Sequence, residues 1–131
     1  YRLALEAFAC GKRVLCITRG FPDNVRRTWS LPEAIELCWL TRTGHPGALR
    51  ADHMPELAQR VQRFLSPGNG LILLDGLDIF IAENGFTEFF RSLSHIKDLA
   101  RLTKGVLLVV IPPGTLNSDE MRKLGQEAEI I

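Results

Sequence analysis

Two acidic residues follow an apolar run in the stretch 70–80, which reads GLILLDGLDIF. The run stops on Asp75, and Gly76 and a second acid, Asp78, come after it. Enzymes that transfer phosphoryl groups hold Mg²⁺ on an aspartate at such a strand end, where the carboxylate faces a phosphate. The position therefore predicts a magnesium or water ligand at Asp75. The structural alternative is that its carboxylate caps the turn at Gly76 or pairs with a nearby arginine.

Polar residues also follow two other predicted strands of the chain. In an open parallel sheet, ligands bind beyond the carboxyl ends of the strands, so residues at these ends are the ones to consider. The candidate ligand-binding residues are Thr18, Arg19, Thr41, Arg42, Asp75 and Asp78. The guanidinium fork of arginine suits phosphate or carboxylate, and the same arginines can instead pair with neighbouring acids. A small anionic ligand at this rim is therefore one reading, and a set of structural ion pairs is the other.

Motifs of the common catalytic sites are missing from the sequence. A phosphate loop requires G-x-x-x-x-G-K-[ST] between a strand and a helix, and the nearest match, CGKR at 10–13, follows a helix instead. The three histidines lack the spacing of a metal site, and no G-x-S-x-G elbow is present. Cys16 and Cys38 lie in apolar strands, where a thiol is a poor nucleophile. We expect no catalytic residue, no metal and no cofactor.

Composition and charge narrow the remaining classes. The chain has 131 residues, of which 46% are hydrophobic and 24% charged, with a net charge of +1. These values predict one folded domain over 1–131, taken from a longer protein, and the charge does not predict a nucleic-acid binder. No apolar run reaches the ~20 residues that cross a bilayer. Three cysteines without C-x-x-C spacing favour the cytoplasm, so we expect no nucleic-acid and no membrane partner.

Strands and helices are predicted to alternate along the chain. The predicted strands are 13–18, 34–41, 71–75 and 106–111, with an edge strand at 128–131. The predicted helices are 1–10, 22–29, 52–65, 86–100 and 117–126, with a loop at 76–85 and Asn84 as the N-cap of the fourth helix. Near-continuous apolar strands separated by helices predict an α/β fold, a three-layer sandwich with a mainly parallel sheet.

Four segments resemble one known family. They read GKRVLCITRGFPDNVR, ELCWLTR, LILLDGLDIFIAENGF and VLLVVIPPGTL, and they are similar to the largely archaeal domain of unknown function 835. The similarity runs over nearly the whole chain. That family in turn resembles the RecA-like ATPases of the circadian-clock type, in which a phosphate loop precedes a helix and two catalytic glutamates follow the next strand. The resemblance implies a RecA-like fold of degenerate P-loop NTPase type.

The resemblance also implies that most of the catalytic parts are absent. Arg19 and Gly20 stand where such an ATPase carries its glutamates, and Pro22 stands where it carries a proline. The sequence starts at the helix that would follow the phosphate loop, so the preceding strand is expected to be missing from the sheet interior. Residues 128–131, a partner chain or a different strand order would then fill that place.

Three functions follow from this resemblance and from the rim residues. The first is a non-catalytic signal-transduction domain that binds a protein partner or itself, as a homodimer. The second is an atypical nucleotide-binding or ATP-hydrolysing domain that uses Asp75 and the arginines at the strand ends. The third is a sensor of a small anionic ligand. An aspartate without a phosphate loop or a general base has little to catalyse, which favours the first.

Overall fold

Six parallel strands form one sheet, in the order β3-β2-β1-β4-β5-β6, in the computed structural model, which describes residues 1–42, 45–126 and 129–130. The strands are β1 Arg13–Thr18, β2 Glu36–Thr41, β3 Leu49–Arg50, β4 Gly70–Asp75, β5 Val106–Val109 and β6 Glu129–Ile130. The helices are α1 Arg2–Ala9, α2 Pro22–Trp29, α3 Met54–Leu65, α4 Leu77–Asn84, α5 Phe86–Leu102 and α6 Ser118–Gly125. None of the helices in the described ranges is long and apolar enough to cross a membrane.

The two central strands, β1 and β4, are buried along almost their whole length. They pair in parallel from Arg13 opposite Gly70 to Thr18 opposite Asp75. A parallel strand covered on both faces needs apolar side chains at every position, because neither face meets water. The runs VLCI and LILL supply them, so the absence of alternation in the sequence correctly predicted central strands.

Helices cover both faces of the sheet, which confirms the predicted three-layer α/β fold. Alternate residues of each strand point to opposite sides. Leu15 and Ile17 of β1 pack in the layer of α3, α4 and α5, and Leu124 of α6 joins the same cluster. Val14 and Cys16 pack in the other layer, against α1 and α2.

Two short elements differ from the prediction. Residues 76–85 were expected to be a loop, but α4 occupies most of this segment and buries Leu77, Ile79 and Phe80. Its apolar residues do not form one stripe, and glycines flank it, so the pattern resembles a loop. Asn84 ends α4 and does not cap α5, since its side chain donates to the carbonyl oxygens of Ala51 and Phe80. The strand β3 was also missed, because two residues carry no periodicity.

The expected vacancy inside the sheet is wrong for the strands that the structure describes. β4 pairs directly with β5, beginning with Leu71 opposite Val106, so no place stays open between them. β6 pairs with the outer side of β5, as the predicted edge strand requires, although Ala128 and Ile131 lie outside the described residues. Of the alternatives for filling the gap, a different strand order is the one found.

Gly76 turns the chain from β4 into α4 at a point with no room for a side chain. Its φ is 153°, a backbone conformation that residues with a Cβ rarely adopt. A Cβ at this position would lie 2.6 Å from Cδ2 of Leu40, a fully buried side chain of the adjacent layer. Glycine is therefore required here for conformation and for space.

We predict that Gly76→Ala lowers the free energy of unfolding by about 2–4 kcal/mol, because it adds backbone strain to overpacking against Leu40. Urea unfolding followed by circular dichroism measures this. Gly114→Ala is the matched control, since Gly114 also has a positive φ, 79°, but a Cβ there would meet no atom within 4 Å. It should lose about 1 kcal/mol. Equal losses in the two variants would show that Leu40 moves aside freely.

Candidate functional site

The carboxyl ends of β1 and β4 mark the point where ligands bind in sheets of this order. From β1 the chain runs outward to β2 on one side, and it returns to β4 on the other side. The crevice outside this reversal point is the usual ligand site of an open α/β sheet. Thr18 and Asp75 are the paired last residues of the two strands, so both predicted site residues lie at this point.

The side chain of Tyr1 occupies this position. Its hydroxyl donates a hydrogen bond of 2.7 Å to Oδ2 of Asp75. Its ring stacks on Trp29 of α2, with ring centroids 5.3 Å apart. α1 runs against the direction of β1, so its first turn begins above the carboxyl ends of the strands. The chain itself therefore supplies the partner of Asp75 and covers the crevice with an aromatic pair.

The environment of Tyr1 keeps its phenol protonated. Burial raises the pKa of Tyr1 well above its ordinary value of 10.0; a hydrogen bond with the hydroxyl of Thr18 opposes this, and the carboxylate of Asp75 raises the pKa further. A protonated phenol can donate to a carboxylate, whereas a phenolate beside Asp75 would be repelled. The contact is therefore a stable donor–acceptor pair across the physiological pH range.

The two central cysteines are as unreactive as their apolar surroundings predicted. Burial raises the pKa of the Cys16 thiol to about 12 and also raises the pKa of Cys38. Both side chains are buried inside strands. Within the part of the chain that the structure describes, no group of three or more His, Cys, Asp and Glu residues could hold a metal ion.

The two predicted arginines at the rim lie near the strand ends but do not pair with Asp75. Nη1 of Arg19 donates to the carbonyl oxygen of Leu40, at 3.2 Å. Nε of Arg42 lies 3.0 Å from Oε1 of Glu83 on α4. The interpretation that either arginine neutralises Asp75 is therefore wrong, since Tyr1 is the partner. Both guanidinium groups are also engaged elsewhere.

The remaining two predicted rim residues differ in exposure. Thr41 is buried at the end of β2, only 5% exposed, and faces no open crevice. Asp78 is exposed in the first turn of α4, and it forms no ion pair or side-chain hydrogen bond with another described residue. Asp23 holds the equivalent first-turn position of α2. The rim around Asp75 thus carries acids at both neighbouring helix starts.

Tyr1 was missed in the sequence, although a signal for it exists. Tyr1, Leu5 and Phe8 are spaced by four and three residues, so they share one face of α1, and all three pack against the layer of Val14 and Cys16. That face predicts a ring directed at the sheet. The prediction of which strand end it reaches requires the strand order.

Comparison with known proteins gives one match. The family described as "Protein of unknown function (DUF835)" matches residues 2–128, which confirms the resemblance drawn from the four segments. Among curated proteins, a search finds no match.

We predict that the phenol of Tyr1 does not ionise near pH 10 while the protein is folded. Its pKa is raised in the folded state, so this contribution to stability is fully present below pH 10 and is lost as the pH rises above it. Tyr1 is the single tyrosine of the chain, so absorbance at the phenolate band reports on it alone. Phenolate should appear only together with unfolding.

The variant Tyr1→Phe provides the control, because it keeps the ring on Trp29 and removes only the hydroxyl. It should unfold with a free energy about 1–3 kcal/mol lower at neutral pH, and its stability should depend less on pH above 10. A reversible titration of the wild-type phenol near its ordinary pKa, without loss of structure, would contradict the closed geometry.

Proposed function

The chain belongs to the DUF835 family of proteins of unknown function, and on that basis we propose that it is a non-catalytic interaction domain of a signal-transduction protein. The observation that carries this proposal is the hydrogen bond from Tyr1 to Asp75. It fills, with the chain's own side chain, the position where a ligand or metal would approach the retained strand-end acid. The proposed domain therefore acts through its outer surfaces.

The surroundings of the crevice argue against a bound nucleotide. Dinucleotide-binding sheets carry a glycine-rich turn after the first strand, which lets phosphates reach the backbone N–H groups. Here the turn after β1 has one glycine, Gly20, followed by Phe21 and Pro22. Proline has no N–H group to offer, and Asp23 adds a negative charge in the first turn of α2. A phosphate would meet repulsion and few donors.

Descent from a RecA-like ATPase is the second part of the proposal, and it rests on the order of sequence segments. Arg19 and Gly20 replace the expected glutamates, and Asp75 is the one acid kept at its strand end. The direct pairing of β4 with β5 requires that the strand of the phosphate loop was lost and the sheet closed over its place. Such a loss would remove catalysis and keep the scaffold.

The layer of α1 and α2 offers the surface for a partner. Leu3, Phe21 and Trp29 are large apolar residues in or next to these helices, and each exposes 45–48% of its surface. Phe21 also contacts Trp39 edge to face, which holds its ring in place. Aromatic residues held in fixed positions are typical of the centres of protein interfaces. We propose that this layer binds a second copy of the chain.

The closed crevice predicts no binding of ATP with Mg²⁺. Isothermal titration of the chain with the nucleotide should give only the heat of dilution, because the phosphates find neither a glycine-rich loop nor a free cation at the rim. Micromolar affinity would support the alternative of an atypical nucleotide site. In that case Asp75→Asn should abolish the binding while the fold is retained.

Self-association is predicted to depend on the α1 and α2 layer. In sedimentation equilibrium, the average mass should rise with concentration toward that of a dimer, and Leu3→Asp should abolish the rise, since it places a charge in the contact. Leu102→Asp is the matched control, because Leu102 is also an exposed leucine but lies on α5. A monomer at all concentrations, or equal effects of both variants, would exclude a dimer through this layer.

A further inference from the structure

Four cations at one corner of the molecule have no partner for their side chains among the described residues. Arg60 and Arg63 lie in the last turns of α3, Arg101 lies in the last turn of α5, and Lys104 follows that helix. Most other lysines and arginines form ion pairs or donate to backbone carbonyls, as Arg42 does with Glu83. We call these four residues the basic corner.

Packing of the two helices brings the cations together. α3 packs along α5, and both run against the direction of the strands, so they end at the same edge of the sheet. The two ends touch, since a Cβ at Gly105 would lie 2.9 Å from Cδ2 of Leu65 at the end of α3. Arg63 and Lys104 each lie within two residues of this contact.

Leu102 lies within the basic corner and is almost fully in water. It exposes 83% of its surface, far more than the other exposed large apolar residues of the described chain. The helix dipole favours cations at the ends of α3 and α5, which accounts for part of the corner. The dipole does not account for an exposed aliphatic side chain between Arg101 and Lys104.

We propose that the basic corner docks the domain on an anionic lipid bilayer. Clustered lysines and arginines are attracted to anionic lipids, and an adjacent aliphatic side chain gains by entering the interfacial region. The earlier expectation of no membrane partner rested on the net charge of +1, which does not show how charge is distributed. The layer of α1 and α2 lies on the opposite face of the sheet, so it stays open to a partner.

A lipid surface fits the basic corner better than nucleic acid does. Single-stranded nucleic acids bind exposed aromatic rings, but the nearby ring of Phe64 is buried beneath the guanidinium group of Arg13, whose carbon lies 4.5 Å from the ring centroid. Glu36 also lines the groove beside Arg60 and Arg63, and its charge would repel a phosphate backbone that followed the groove. Leu102 has no role in such a complex.

Co-sedimentation with lipid vesicles tests the proposal. The chain should bind vesicles of phosphatidylcholine mixed with phosphatidylserine, should not bind phosphatidylcholine alone, and should dissociate as salt is added. Each cation near an anionic surface strengthens binding about fivefold, so the double variant Arg63→Glu, Arg101→Glu should weaken it at least about 25-fold. Leu102→Ser should weaken it about tenfold with no change in charge.

The matched control is the double variant Arg2→Glu, Arg27→Glu. It changes the net charge by the same amount, on exposed side chains of α1 and α2, and should bind the mixed vesicles like the wild type. Circular dichroism confirms that all variants are folded. No binding of the wild type, or equal losses in both double variants, would overturn the proposal. Tighter binding to a short DNA duplex than to the vesicles, at equal salt, would replace lipid by nucleic acid.

Discussion

The parallel pairing of β1 with β4 is the contact on which the rest of the molecule depends. It joins the two most deeply buried strands and separates the layer of α1 and α2 from the layer of the other helices. The register also places Thr18 beside Asp75, directly under the start of α1. Because of that register, the hydroxyl of Tyr1 can reach the carboxylate of Asp75. A shift by one residue would turn every side chain of the strand to the opposite face.

The two edges of a parallel sheet differ in charge for a general physical reason. Every helix that connects parallel strands starts at the carboxyl edge and ends at the amino edge, so helix dipoles place acids at one edge and cations at the other. In this protein Asp23 and Asp78 are in first turns, and Arg63 and Arg101 are in last turns. The arrangement disfavours phosphate at the ordinary ligand edge and favours anions at the opposite one, where a rigid surface is available.

Loss of catalysis and gain of binding surfaces are compatible in such a fold. A catalytic crevice must stay open to water and substrate, whereas Tyr1 and Trp29 cover the crevice here and add aromatic contact between α1 and α2. The covered crevice no longer limits which residues surround it, so Arg19 and Arg42 can serve structural contacts. The exposed apolar residues of one layer and the cations of the other edge are then free to specialise in binding.

The sequence by itself determined the local features, because each depends on neighbours along the chain. These include the buried strands, the missing phosphate loop, and the capping box between Asn117 and Glu120, whose backbone and side-chain hydrogen bonds the structure confirms. The α/β class followed from the alternation of these elements. Only the tertiary structure decided the strand order, the partner of Asp75 and the clustering of cations. Tyr1 and Asp75 are 74 positions apart, and no local pattern links residues that meet only after the strands have paired.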